Sequence, residues 1–306
     1  MHRELVINDH RISDHLPCYV IAELGHNHGG HLPTAKMMIQ SAAACGVQAV
    51  KLQKRTIDTL YTRELLDAPY ENENSFGPTY GWHRERLELR IDQYLELAYT
   101  AREQSVDFFA TAFDECSADA LMQIGVPAIK IASGGFTDRA LLKHVASLGV
   151  PLIVSTGGGD WNDVDMATSI LDAAGARFAL LHCTAAYPVH DFSELNLLVI
   201  AEMRARYPGI VIGWSGHDVG IAMALVAYSL GARIIEKHFT LNRASKGTDH
   251  AFSLEPVGMR KMVRDLERAY RAMGDGVKRW YDSERKPIAK MRRSMTPDGL
   301  RITGHL

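Results

Sequence analysis

Eleven polar residues sit at or just beyond the ends of short apolar runs: Glu23, Lys51, Thr111, Lys130, Ser133, Ser155, His182, Tyr187, Ser215, His217 and His238. Two lysines and several hydroxyls converging on one place suit a phosphate or a carboxylate, because the ammonium groups supply charge and the hydroxyls complete the hydrogen bonds. A lone lysine after an apolar run also carries its charge out to solvent. It is the pair, on different runs with serines beside them, that points to an anion site. His217 belongs to GWSGHDVG (213–220) and His238 to IIEKHFT (234–240). Two imidazoles at neighbouring run ends could share Mn, Fe, Co or Zn. Two protein ligands leave positions open for water and substrate, as a Lewis acid polarising a carbonyl requires. A core histidine satisfied by one hydrogen bond is the other reading of each.

The runs that would position these residues recur along the chain. They are CYVIAEL (18–24), VQAVKLQ (47–53), DFFATAF (107–113), PAIKIAS (127–133), PLIVST (151–156), FALLHCT (178–184), IVIGWSG (210–216) and RIIEKHF (233–239). Nearly all their residues are apolar, as in parallel strands buried on both faces. Helix-like segments separate them. PTAKMMIQSAAACG (33–46) opens on proline and closes on glycine, and DVGIAMALVAYSLGA (218–232) offers Asp218 as an N-cap. Eight such repeats predict an α/β fold, a (β/α)8 TIM barrel, whose active site gathers at the C-terminal strand ends. An open doubly wound sheet is the alternative, but no GxGxxG follows the first run, and STGGGD (155–160) has neither dinucleotide nor P-loop spacing. ELVINDHRIS (4–13) alternates like a short N-terminal hairpin that would cap the barrel. The expected organisation is a cap at 1–16, the barrel at 17–282 and a linker-like tail at 283–306. The polar, aromatic insertion at 61–90 is either a lid over the mouth or surface decoration.

Composition narrows the classes. The 306 residues include 34 basic and 36 acidic ones, for a net charge of −2. That balance favours neither nucleic acid nor a membrane surface as partner. No apolar run reaches the roughly 20 residues of a membrane helix, and the N-terminus lacks an apolar signal core, so a cytoplasmic location is expected. The four cysteines, at 18, 45, 116 and 183, form no CxxC pair, consistent with a reduced chain without a cysteine-based zinc site.

YVIAELGHNHGG, KLQK, ATAFD, KIASG, VSTGG, LLHCTAAYP, GWSGHDVG and EKHFTLNRASKGTDHAFS occur in this order. Together they resemble the catalytic barrel of the sialic acid synthase (N-acetylneuraminate synthase) family over about residues 17–295. The resemblance implies condensation of phosphoenolpyruvate with an aldose such as N-acetylmannosamine, giving a 2-keto-3-deoxy sugar acid and phosphate. It implies that Lys51, Lys130, Thr111, Ser133, Ser155 and Ser215 hold the phosphate and carboxylate of phosphoenolpyruvate. His217 and His238 would bind a divalent metal, Mn²⁺ by family habit, with Mg²⁺ or Co²⁺ as substitutes. Glu23 would act as acid/base and touch the sugar, and Tyr187 and Asp249 would lie on the sugar side. The family's dimeric habit implies a homodimer.

The chain also departs from the family pattern. KIASGGF places Gly135 where relatives carry a glutamate that touches the sugar, and HCTAAYP places Ala185 where they carry an asparagine. These changes lead to the expectation of a different aldose. The sequence ends at Leu306 where relatives add a small antifreeze-like domain, so the mouth is expected to be more open or covered by another chain. Arg292 and Arg293 are then either substitutes for that domain's arginine or a solvated basic tail. Octulosonate and heptulosonate phosphate synthases share barrel and chemistry but usually carry an added basic cluster for the sugar phosphate, and no clear one stands out here. A degenerate, non-catalytic sugar-binding barrel is the remaining alternative.

Overall fold

The computed structural model describes residues 3–295, 297–299 and 301–303. An antiparallel hairpin, β1 (Glu4–Ile7) and β2 (His10–Ser13), comes first. Eight parallel strands then close into a barrel: β3 (Tyr19–Gly25), β4 (Ala49–Lys54), β5 (Asp107–Ala112), β6 (Ile129–Ile131), β7 (Leu152–Ser155), β8 (Phe178–Cys183), β9 (Val211–Gly216) and β10 (Ile234–His238). Each pairs with its neighbours in sequence, and β10 closes on β3. This is the expected barrel: six strands fall inside the apolar runs that predicted them, and β3 and β4 run one residue past theirs, to Gly25 and Lys54.

The strands form because these runs have no polar face to offer water. Every residue of β3, β5, β7, β8, β9 and β10 is buried. Side chains such as Phe109, Ile153, Leu181 and Ile234 are fully buried, filling the barrel as a packed core beneath the site. At Gly213 an added Cβ would lie 2.3 Å from Leu181 Cδ2 and 2.6 Å from the Ile234 carbonyl oxygen. Glycine there lets β9 approach its neighbours.

Helices start where a strand-end aspartate caps them. Asp114, Asp138 and Asp160 each accept backbone N–H bonds at the first turn of the helices Glu115–Ile124, Arg139–Ser147 and Trp161–Ala173. Asp218 does not play this part. The helix after β9 is Ala222–Ser229, without a side-chain cap. Asp218 instead accepts a hydrogen bond from buried Lys237 Nζ at 2.7 Å. Lys237 alternates with Glu236 and His238 and so turns away from the barrel interior, where a buried ammonium needs a counter-charge more than a short helix needs a cap.

The expected hairpin is tied to the N-terminal end of the barrel. Leu5, Ile7 and Ile12 join the hydrophobic core. Asp107, at the start of β5, accepts from Asn8 at 2.6 Å and Tyr19 at 2.7 Å, with His10 Nδ1 at 3.0 Å. After β4 comes the short helix Ile57–Leu60, and the insertion then carries the helices Arg63–Asp67 and Tyr80–Leu87. Tyr61, Tyr70, Tyr80 and His83 pack their rings together there at 4.5–6.3 Å.

Residues Arg271–Leu306 form a second compact unit. It contains the helix Asp282–Met291 and a two-stranded antiparallel pairing of Arg293–Met295 with Arg301–Thr303. Arg292 stacks on Trp280, 4.4 Å from the ring centroid. Among the described residues no helix is long and apolar enough to cross a membrane.

Candidate active site

A cavity of about 510 Å³ opens at the C-terminal ends of the barrel strands. Glu23, Lys51, Thr111, Lys130, Ser133, Ser155, Tyr187, Ser215, His217, His238 and Asp249 all line it. The pleat brings them together, because residues paired across parallel strands share a face: Glu23 pairs with Lys51 and Thr111 with Lys130. His182 is the exception among the strand-end residues. It pairs with Trp214 on the opposite face of the sheet, and its Nε2 lies 2.7 Å from the Leu195 carbonyl oxygen. Strand β8 ends one residue later, so parity sends Cys183 into the cavity and His182 outward.

The cavity floor is an ionic network. Lys51 Nζ lies 2.6 Å from Glu23 Oε2 and donates to Thr111 Oγ1 at 2.8 Å. Lys130 donates to Ser155 Oγ at 2.7 Å. Both lysines stand 3.8 Å from Glu236 Oε1, which also accepts from Ser215 Oγ at 3.1 Å. Glu236 went unnoticed in the sequence. Its signal was present: two residues before His238 on the same strand, it must face the same way. The same step from Lys51 gives Gln53, whose amide donates to Glu23 Oε1 at 2.7 Å. Ser133 is held by a glycine, accepting the Gly157 N–H at 3.0 Å. A Cβ on Gly157 would stand 2.7 Å from that hydroxyl.

Burial pushes the Glu23 carboxyl up to about 7, against the pull of Lys51. Burial would raise Glu236 as well, but Lys130 and Lys51 outweigh it and hold this carboxyl below the usual range. Burial also lowers Lys130. The two carboxylates therefore differ in use: Glu236 is a fixed anion that seats the lysines, while Glu23 can exchange a proton near neutral pH.

Across the cavity the rings of His217 and His238 are 5.3 Å apart. His217 Nδ1 lies 2.9 Å from the Thr184 carbonyl oxygen, which fixes that nitrogen as the donor and leaves Nε2 with a lone pair. His238 Nδ1 is buried without a hydrogen-bond partner, with Asp249 Oδ2 at 3.7 Å. Burial depresses both imidazoles to about 3, helped by His238 at His217 and by Lys51 at His238. Both are neutral, as metal ligands must be. The Tyr187 ring, half-exposed at the rim, sits 4.1 Å from that of His217.

The expectation about Gly135 is corrected. A Cβ there would meet Leu141 at 3.3 Å and Ile131 at 3.7 Å, so the position faces the barrel wall, and Gly134 lines the cavity instead. Ala185 does line it. The insertion is more than decoration, since Arg84 from the helix Tyr80–Leu87 reaches the same cavity, beside Arg55 and His26. His26 and Arg55 each sit one residue past a strand end and were legible there, whereas Arg84 comes from the insertion, where the strand-end rule does not look.

Residues 38–278 match the NeuB family. The chain is 36% identical over 292 residues to human N-acetylneuraminate-9-phosphate synthase, covering 94% of this chain and 81% of that one. It is 34% identical to N,N'-diacetyllegionaminic acid synthase of Legionella pneumophila, covering 92% and 80%. A crystal structure of N-acetylneuraminic acid synthetase from Leptospira borgpetersenii, in complex with citrate, superposes with a TM-score of 0.82 at 32% identity, covering 94% of this chain and 96% of that one. A truncated heptulosonate phosphate synthase from Thermotoga maritima shares the fold, with a TM-score of 0.68 at 12% identity. The named relatives are synthases and the resemblance spans the whole barrel, which sets aside a non-catalytic one. This chain belongs to the NeuB family and is an enzyme of the sugar acid synthase kind.

Proposed function

We propose that the cavity condenses phosphoenolpyruvate with an aldose of the N-acetylhexosamine class, giving a 2-keto-3-deoxy sugar acid and inorganic phosphate. One observation carries this reading: two buried lysines, seated on a common carboxylate and flanked by Thr111, Ser155 and Ser215, face two neutral histidines within one cavity. Lys51, Lys130 and these hydroxyls, with Ser133, hold the phosphate and carboxylate of phosphoenolpyruvate. The partnerless His238 Nδ1 and the free Nε2 of His217 fit a divalent metal. Among the described residues no group of three acidic, histidine or cysteine ligands gathers, so these two would hold it with open positions remaining. When bound, such a metal polarises a carbonyl oxygen. Mn²⁺ is the ion the family resemblance implies, with Mg²⁺ or Co²⁺ as substitutes.

The lysines orient the enol so that its C3 faces the aldehyde carbon, and a C–C bond forms there. Positive charge develops at C2, beside the anions that Lys51 and Lys130 position. Water adds to C2 and Glu23 takes its proton. The resulting tetrahedral carbon gives up its hydroxyl proton and breaks its bond to the phosphate oxygen, leaving the keto acid and free phosphate, while the former aldehyde oxygen takes up the proton held by Glu23 and becomes a hydroxyl. Tyr187 and Asp249 stand on the aldose side of the histidines. The test is phosphate release from phosphoenolpyruvate by the Mn²⁺-loaded enzyme with N-acetylmannosamine, its 6-phosphate, mannose, arabinose 5-phosphate and modified hexosamines. Release that needs both an aldose and a divalent metal supports the reading. No release with any combination sinks it.

A further inference from the structure

Behind the two histidines, on the outside of the barrel wall, lies a buried ion pair that the chemistry of the cavity does not use. Lys237 and Asp218 are each 1% exposed. Lys237 Nζ donates to Asp218 Oδ1 at 2.7 Å and to the Asp218 carbonyl oxygen at 2.6 Å. The fully buried Trp214 packs beside them, its ring centroid 5.5 Å from Nζ. Fold stability gives no account of this pair. Two charges taken out of water lose about as much hydration as they gain in attraction, so apolar residues of like size commonly serve a core as well or better. Nor does Asp218 cap the helix that follows, which starts at Ala222. Position is what singles the pair out: Asp218 follows His217, and Lys237 precedes His238.

The backbone holds the two histidines unequally. His238 is the last residue of β10, paired with Glu23, and its carbonyl accepts from the Leu254 N–H at 2.8 Å. His217 lies one residue beyond β9, in a loop that runs through exposed Val219 and through Gly220 at φ +108°. Its ring is held by the Thr184 carbonyl, and its own carbonyl by a 3.2 Å bond from the Val189 N–H. We infer that Lys237 and Asp218 are positioning residues that hold His217 against His238 and so set the spacing of the two imidazoles offered to a divalent metal. The ammonium grips both the carboxylate and the main-chain carbonyl of Asp218, so it fixes the backbone next to His217. It does so from the residue next to His238, which gives both histidines one reference point. Apolar contact has no such direction, and ligand atoms must stay within about 0.5 Å of a productive geometry. The inference rests on the proposed metal role of the two histidines.

The test is Mn²⁺ affinity without substrate, read from the electron paramagnetic resonance of the free ion as the full-length enzyme is titrated. Lys237→Met combined with Asp218→Leu removes both charges together and leaves neither stranded. Its chelator-treated urea midpoint should equal or exceed that of the unaltered enzyme, while its Kd for Mn²⁺ should rise about 10- to 100-fold. Lys237→Arg, which keeps the pair, should bind Mn²⁺ more tightly than the double variant. A double variant whose Kd stays within about threefold of the unaltered enzyme overturns the inference. So does one whose chelator-treated midpoint falls along with its affinity, since a merely structural role would do that. His217→Ala tests the underlying reading separately. Undiminished Mn²⁺ binding in that variant, or no binding by the unaltered enzyme, would remove the histidine site itself and the inference with it.

Discussion

Glu23 is 1% exposed and stands 2.6 Å from Lys51, and these two facts pull its carboxyl in opposite directions. Burial wins and the group titrates at about 7. The base form is thus present above that pH and is lost as pH falls through it. If Glu23 takes the proton of the attacking water, kcat/KM should drop about tenfold per pH unit below 7. Glu23→Gln should remove that limb and cost about 10²- to 10⁴-fold in kcat. A pH–rate profile of both proteins checks this, and an unchanged acid limb in the variant would place the base elsewhere. Glu236 makes the opposite case, a carboxylate held ionised by Lys130 and Lys51. Lys130→Met leaves Glu236 with Lys51 and Ser215 alone and should destabilise the fold by up to about 3–5 kcal/mol, whereas Lys130→Met with Glu236→Leu should recover most of the loss. Urea unfolding of the single and double variants measures the difference.

Strand pleat and strand-end glycines decide which side chains reach the cavity. In IIEKH, alternation turns Glu236 and His238 inward and leaves Lys237 to Asp218 on the outside. In LLHC it turns Cys183 inward and His182 away. Gly157→Ala would drive a methyl against Ser133 Oγ, 2.7 Å away, and against the Cys183 carbonyl at 3.0 Å. Overpacking of this kind costs about 1–3 kcal/mol. The displaced hydroxyl should raise KM for phosphoenolpyruvate more than it lowers kcat, as steady-state kinetics would report. At the other end of the barrel, Asp107 joins three hydrogen bonds to the hairpin and β3. Asp107→Ala leaves the buried Tyr19 hydroxyl unpaired, while Asn8 and His10 can turn to water, and should cost about 1–3 kcal/mol. The loss should appear first as faster amide exchange at residues 4–13, with exchange in β8 and β9 little changed.

At the scale of the whole chain, a site gathered from eight strands exists only in the folded state. Any ion or substrate that binds it stabilises that state by mass action. Mn²⁺ at 100 times its dissociation constant should add about 2.7 kcal/mol, seen as a higher Tm than in chelator-treated protein. His217→Ala should abolish this gain, read as the difference between the variant's own Mn²⁺-loaded and chelator-treated Tm. A gain that survives in the variant would show that the ion binds elsewhere. The net charge of −2 belongs to the same scale. It hides local concentrations of positive charge, because acidic residues spread over the chain offset the lysines and arginines that face one cavity.

What the sequence determined by itself was the repeat and its parity. Eight apolar runs with polar ends, and no dinucleotide fingerprint after the first, favour a closed barrel over an open doubly wound sheet. The same rule located the lysines, the hydroxyls and both histidines, because function in this architecture gathers where strands end. Glu236 and Gln53 were legible too, by a two-residue step along their strands. Only the tertiary structure decided what lies beyond those strands. It turned Gly135 to the wall, and it carried Arg84 from the insertion to stand beside Arg55. In sequence those arginines are 29 residues apart and signal no basic cluster. Loop-borne residues follow no period, so their meeting depends on how the chain packs back over the mouth.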